Sequence, residues 1–179
     1  MSSDLFASIQ KNIHTSEASK AYRRPTWNPQ FCGDLDIVIK RDGTWHYMGT
    51  PIGRQKIVNL FASVLRREED KFYLVTPVEK IGINVEDAPF VARLMTIDSV
   101  KDEIAFETVE GYRVVASAEH PILFMHTREF GYTAYVQLYE GILARIDRNP
   151  YYELMESVQE LDGNFVLTSC GATFVVPIE

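Results

Sequence analysis

Leu35, Ile37 and Ile39 alternate with Asp36, Val38 and Lys40, and this period of two predicts a half-buried strand over 34–40. Asp42-Gly43 predicts a two-residue hairpin turn, because both residues accept positive φ. The return strand then covers 44–48 and places His46 opposite Ile39. At Ile57 the period changes: Ile57, Leu60, Phe61, Val64 and Leu65 recur at helical spacing. A helix over 55–67 follows, with Arg66-Arg67 in its last turn, where cations suit the negative end of the dipole. Strands are predicted at 72–76 and 80–85, and the Asn, Asp and Pro of 84–89 mark a boundary.

Beyond that boundary the pattern is rich in strands, at 90–97, 103–109, 112–116, 122–127, 132–139 and 142–146. Asn149 then caps, and Pro150 begins, a helix with Tyr151, Leu154, Met155 and Val158 facing inward. Strands at 164–168 and 173–177 follow. At the other end, Ser3 caps a short helix carrying Leu5, Phe6, Ile9 and Ile13, and 14–24 is a polar connector. Arg24-Pro25 and Asn28-Pro29 bracket Trp27, which is expected to pin this segment to the body.

One stretch occurs twice. Asp42-Gly43-Thr44-Trp45-His46 is echoed by Glu140-Gly141-Ile142-Leu143-Ala144, an offset of 140 − 42 = 98. Arg54 and the helix behind it match Arg148 and its helix at 148 − 54 = 94, and Phe72-Tyr73-Leu74 meets Phe165-Val166-Leu167. Turn, strand, arginine, helix and strand recur in order, which argues for two copies of one unit. Only the first copy inserts Gly49-Thr50-Pro51-Ile52-Gly53 before its arginine. The expected fold is α+β: two tandem, structurally related domains, 1–84 (1–24 being helix and connector) and 85–179. Each is a mostly antiparallel curved sheet with one packed helix.

Composition narrows the function classes. No apolar run approaches the ~20 residues of a membrane helix. The first residues lack a secretory pattern, and two cysteines make no disulfide framework, so the expected home is the cytoplasm. The net charge of −7 divides unevenly: residues 1–80 carry 12 Lys/Arg and 9 Asp/Glu, and residues 81–179 carry 6 and 16. Such a chain is a poor binder of duplex DNA, whose affinity comes mainly from neutralised phosphates. A basic face in the first half still suits one anionic small molecule.

The segment from Gly49 to Lys56 is the main chemical candidate. Glycines allow close backbone approach, and a helix start offers unpaired N–H groups with a partial positive charge. Arg54 precedes Ile57, Phe61 and Leu65 by three, seven and eleven residues, and so continues the apolar stripe inward. A buried cation needs a partner. Asp34 or Asp36 in a structural ion pair fits, and so does an exogenous phosphate or carboxylate. Thr50, Gly53, Arg54, Lys56, Arg148 and Tyr151 are the expected ligand-binding residues, with Trp45 also available to stack. No catalytic residue, metal or cofactor is expected, since the four histidines lack metal-ligand spacing.

Several runs together resemble a known family: Phe31-Cys32-Gly33-Asp34-Leu35-Asp36, Asp42-Gly43-Thr44-Trp45, Gly49-Thr50-Pro51-Ile52-Gly53-Arg54, Leu65-Arg66-Arg67-Glu68, Thr76-Pro77-Val78-Glu79-Lys80 and Val85-Glu86-Asp87-Ala88-Pro89-Phe90. They are similar to the bacterial family called domain of unknown function 1285, over nearly the whole chain from Trp27 onward. The resemblance implies a duplicated two-domain protein with a C-terminal half like a pleckstrin-homology fold. It also implies an interdomain pocket for a nucleotide-like ligand and a role in signal transduction. The resulting expectation is a non-catalytic ligand-binding or sensor protein. The alternatives are an adaptor that binds a protein partner through its acidic second half, and a metal-assisted phosphoesterase using Asp34 and Asp36.

Overall fold

A computed structural model describes residues 27–177, so the helix and connector expected within 1–24 lie outside the described residues. Two compact units divide the chain, Met1–Glu86 and Asp87–Glu179. No helix among the described residues is long and apolar enough to cross a membrane.

In the first unit β1 (Phe31–Ile39), β2 (Trp45–Tyr47) and β3 (Thr50–Pro51) precede α1 (Gln55–Ser63), and β4 (Leu65–Glu68), β5 (Lys71–Val75) and β6 (Lys80–Val85) follow it. All six strands form one sheet in the order β3-β2-β1-β6-β5-β4. Only β1 and β6 run parallel; the other neighbours are antiparallel. Leu35, Ile37, Ile39, Trp45, Leu65, Leu74 and Ile81 are buried, as are Val58, Phe61 and Ala62 of α1. Trp45 and Phe61 meet at 6.3 Å between ring centroids.

Two local expectations are corrected here. The hairpin pairs Ile39 with Trp45 and Val38 with His46. Lys40 and Thr44 close a three-residue loop in which Gly43 takes φ 84, the geometry of a type I turn followed by a bulge. One extra loop residue exchanges the faces of everything after it, so Trp45 rather than His46 enters the core. The helix also ends four residues early. Leu65 pairs with Leu74 in a strand, and both are buried, so Arg66 and Arg67 lie on β4 and not in a last helical turn. A ladder partner outweighs a helical pattern there.

The second unit opens with β7 (Phe90–Asp98), β8 (Glu103–Thr108), β9 (Arg113–Val115), β10 (Ile122–Thr127), β11 (Gly131–Tyr139) and β12 (Ile142–Ile146). Then come α2 (Arg148–Glu156), β13 (Gln159–Leu161), β14 (Asn164–Ser169) and β15 (Ala172–Val175). Strand β13 is absent from the pattern-based reading, because all three of its residues are exposed and carry no alternation. The strands make a six-stranded sheet, β10-β11-β12-β7-β8-β9, and a three-stranded sheet, β13-β14-β15. The Ser169 hydroxyl accepts from the Ile104 amide at 2.9 Å and donates to the Ala116 carbonyl at 2.8 Å, tying the two together. Asp147, not Asn149, is the cap residue of α2, and Pro150 sits inside the first turn, where its missing N–H costs nothing.

The duplication is visible element by element. Hairpin, helix and three-strand meander recur as β1-β2-α1-β4-β5-β6 and β11-β12-α2-β13-β14-β15. In the first unit the free side of β1 takes β6, and the free side of β2 takes the small inserted strand β3. In the second unit β10 and β7 occupy those two sides. A strand has only two edges, so the second meander is shut out of the main sheet and forms its own.

Candidate functional site

The inserted segment of the first copy is a second hairpin. Tyr47 pairs with Thr50, and the turn residues Met48 and Gly49 take φ 48 and 76, the paired positive φ of a type I′ turn. Gly49 therefore serves the turn. Gly53 is exposed and has nothing within 4 Å of where a Cβ would stand. The Ile52 amide donates to the Trp45 carbonyl at 2.8 Å, which delivers the chain to α1.

Arg54 is the cap residue of α1, in extended backbone (φ −95, ψ 102), and no side chain caps this end. Its backbone lies outside the helical repeat, so the stripe begins at Ile57 and the arginine is exposed instead of pointing inward. Among the described residues no ion pair joins it to Asp34 or Asp36. Lys56 is exposed as well, and no acidic residue lies in the first turn. Thr50, Gly53, Arg54 and Lys56 thus share one exposed corner of the first unit.

The matching corner of the second unit differs by one residue, since Arg148 is the first residue of α2 and Asp147 its cap. The Arg148 guanidinium lies 5.7 Å from the Tyr152 ring centroid, and Tyr151 meets Tyr152 edge-on at 6.1 Å. The Asp147 carboxylate does not cap the helix. It accepts a long hydrogen bond from Arg145 at 3.4 Å and approaches Arg93 at 3.8 Å. Arg145 also stands 3.7 Å from Asp87, which accepts from the Tyr135 hydroxyl at 2.7 Å.

A polar row crosses the outer side of the first sheet. Asp34, Gly82, Tyr73 and Arg66 are successive register partners on β1, β6, β5 and β4, so they share a face. Beside them Lys80 donates to Glu68 at 2.8 Å and lies 5.1 Å from the Tyr73 ring centroid. Arg66 donates to the Trp27 carbonyl at 2.8 Å and to Glu68 at 3.4 Å. The hydrogen bond from Lys80 is the main reason the Glu68 carboxyl is held below the usual carboxylate range. Strand β1 shifts register on both sides of Asp34, with Gly33 at φ 104, and the shift aims the aspartate across at Gly82. Asp34 and Asp36 are both exposed, and among the described residues no group of three His, Cys, Asp or Glu is placed to hold a metal ion. Nothing in the spacing of Arg66, Glu68, Tyr73 and Lys80 points to this network, because it is assembled across strands.

Family models match nearly all of the described chain: the N-terminal domain of a domain of unknown function, DUF1285, over residues 25–88, and the DUF1285 C-terminal domain over 89–176. The chain belongs to the DUF1285 family. A crystal structure of a DUF1285 protein from Silicibacter pomeroyi DSS-3 is 42% identical, covering 96% of this chain and 93% of that one, with a TM-score of 0.85. Another, from Shewanella baltica OS155, is 27% identical, covering 68% of this chain and 91% of that one, at a TM-score of 0.55. No curated protein matches the chain.

Much of the DUF1285-like sequence is turn and pairing chemistry. The Asp42 carboxylate accepts from the Thr44 amide at 2.8 Å and from its hydroxyl at 2.6 Å, shaping the first hairpin. Thr76, fully buried, accepts from the Glu79 amide through its hydroxyl at 3.1 Å and delivers Lys80 to the network. Glu86 accepts from Lys40 at 2.6 Å and from the Arg41 amide at 3.0 Å. Within these runs Asp36 and Arg54 are exposed, and among the described residues neither side chain has a hydrogen-bond or ion-pair partner.

Proposed function

We propose that this DUF1285 protein is a non-catalytic ligand-binding or sensor protein that holds a nucleotide-like anion through the start of α1, in signal transduction. One observation carries the reading: Arg54 and Lys56 are exposed at a helix start with no acidic residue in the first turn and no side-chain cap. Cations there oppose the dipole by about 0.3–1 kcal/mol each, whereas an anion bound between them and the free amides reverses the sign. Arg148, at the start of α2, repeats the same charge at the matching point of the second copy. The nucleotide-like character and the signalling role come from the family resemblance.

A thermal-shift screen against nucleotides, cyclic nucleotides, other phosphorylated metabolites and inorganic phosphate tests it. A ligand at about 100 times its Kd adds about 2.7 kcal/mol to the native state. In a chain of this size that is a rise of roughly 5–10 °C in Tm. The rise is expected to disappear in Arg54→Ala while the unliganded Tm is not lowered. A panel without any shift, or a shift that survives Arg54→Ala, removes this site.

A further inference from the structure

Strand β10 differs from every other sheet edge in the described residues. β3 is two residues long and contains Pro51; β4 carries Arg66, Arg67 and Glu68; β9 is three residues with Arg113; β13 contains Glu160. β15 is uncharged but four residues long, and Pro177 follows it closely. Short length, charge and proline are the devices that keep edges from pairing. β10, Ile122-Leu123-Phe124-Met125-His126-Thr127, is six residues long with no Lys, Arg, Asp or Glu and no proline within it (Pro121 directly precedes it), and its ladder with β11 runs through six consecutive partners without a bulge.

The ladder also shows which backbone groups are free. The Gln137 amide donates to the Pro121 carbonyl, so Pro121, and by alternation Leu123, Met125 and Thr127, point their backbone groups at β11. Those of Ile122, Phe124 and His126 point away from the sheet. Antiparallel pairing through these three residues has a two-fold axis at Phe124. It sets Phe124 against its counterpart, Ile122 against His126, and Leu123 against Met125 on the other face. All of these are uncharged, and Met125, 38% exposed, would gain an apolar neighbour.

We infer that β10 is an interaction edge whose partner is β10 of a second copy of this chain, joined antiparallel about Phe124. The pairing closes the open edge of both copies at once, which an isologous contact requires. Six residues make a small interface, so the dimer is expected to depend on concentration rather than to be permanent.

Sedimentation of the full chain over a concentration series, with amide hydrogen exchange at each end of it, tests the inference. A monomer–dimer equilibrium is expected, with protection of the Ile122, Phe124 and His126 amides rising with concentration. The Leu123 and Met125 amides, already bonded to β11, should not change. His126→Pro removes an outward N–H and no bond to β11. It loses two intersubunit hydrogen bonds per dimer and should weaken association about tenfold. His126→Lys, which keeps the N–H and adds a charge to the edge, should weaken it too if His126→Pro perturbs folding. A monomer at all concentrations overturns the inference. So does a dimer that leaves the three amides unprotected, or protection that appears only when an extended peptide is added.

Discussion

The carboxylate of Asp34 occupies the space above Gly82 that a Cβ would fill, with the edge of the Phe31 ring beside it. Glycine inside a strand usually costs about 0.5–1 kcal/mol relative to alanine. Here its bareness accommodates a side chain from the neighbouring strand. Gly82→Ala is therefore expected to be close to neutral, because swinging the exposed Asp34 carboxylate aside offsets the gain from alanine. In an Asp34→Ala background the same change should stabilise by about 0.5 kcal/mol. Urea unfolding of the four proteins measures the coupling, and additivity would show that the two residues do not interact.

Glu68 and Glu110 should give opposite pH dependences. Glu68 is held below the ordinary range, chiefly by the hydrogen bond from Lys80. Its stabilisation is complete above the unfolded carboxyl pKa of about 4.3 and is lost as pH falls through the lower folded value. Glu110 is pushed up by burial, its own backbone amide, the Thr108 hydroxyl and the Arg93 charge offsetting only part, and its Oε2 has no hydrogen-bond partner among the described residues. Its penalty is absent below the unfolded pKa, grows as pH rises, and is complete above the raised folded value. Glu110→Gln should match the wild type in acid and exceed its Tm at neutral pH. Glu68→Gln should fall below the wild type at neutral pH and converge with it in acid. Thermal unfolding across pH reads both, and parallel curves for Glu110→Gln and the wild type would contradict the assignment.

Tyr135, 3% exposed, donates to Asp87 across 48 residues of sequence. Tyr135→Phe keeps the ring and removes this donor from a carboxylate at the start of the second unit. The expected cost is about 1–3 kcal/mol. Equilibrium unfolding with an unchanged m-value is the check, and a neutral result would mean that solvent replaces the hydroxyl.

The family-like runs were legible as motifs, but their tasks were not. Asp42-Gly43-Thr44 announces a turn through its own chemistry, yet its loop length, and with it the choice between Trp45 and His46 for the core, depends on how the two strands pair. Arg54 stands out in the sequence as a cation on an apolar stripe, and its extended backbone removes it from that stripe. The network of Glu68, Lys80 and Arg66 leaves no trace in spacing, because cross-strand neighbours are fixed by register and not by sequence separation.

By itself the sequence determined the α+β class, the place of twelve of the fifteen strands among the described residues, and the duplication. All of these follow from local periodicity, turn residues and self-similarity, which act over a few neighbours at a time. Tertiary structure decided that α1 stops at Ser63, that β6 joins β1 while its counterpart β15 is excluded from the second main sheet, and that β10 stands at a sheet edge among the described residues. Those outcomes turn on competition for a limited number of strand edges and buried positions, which only the assembled chain resolves.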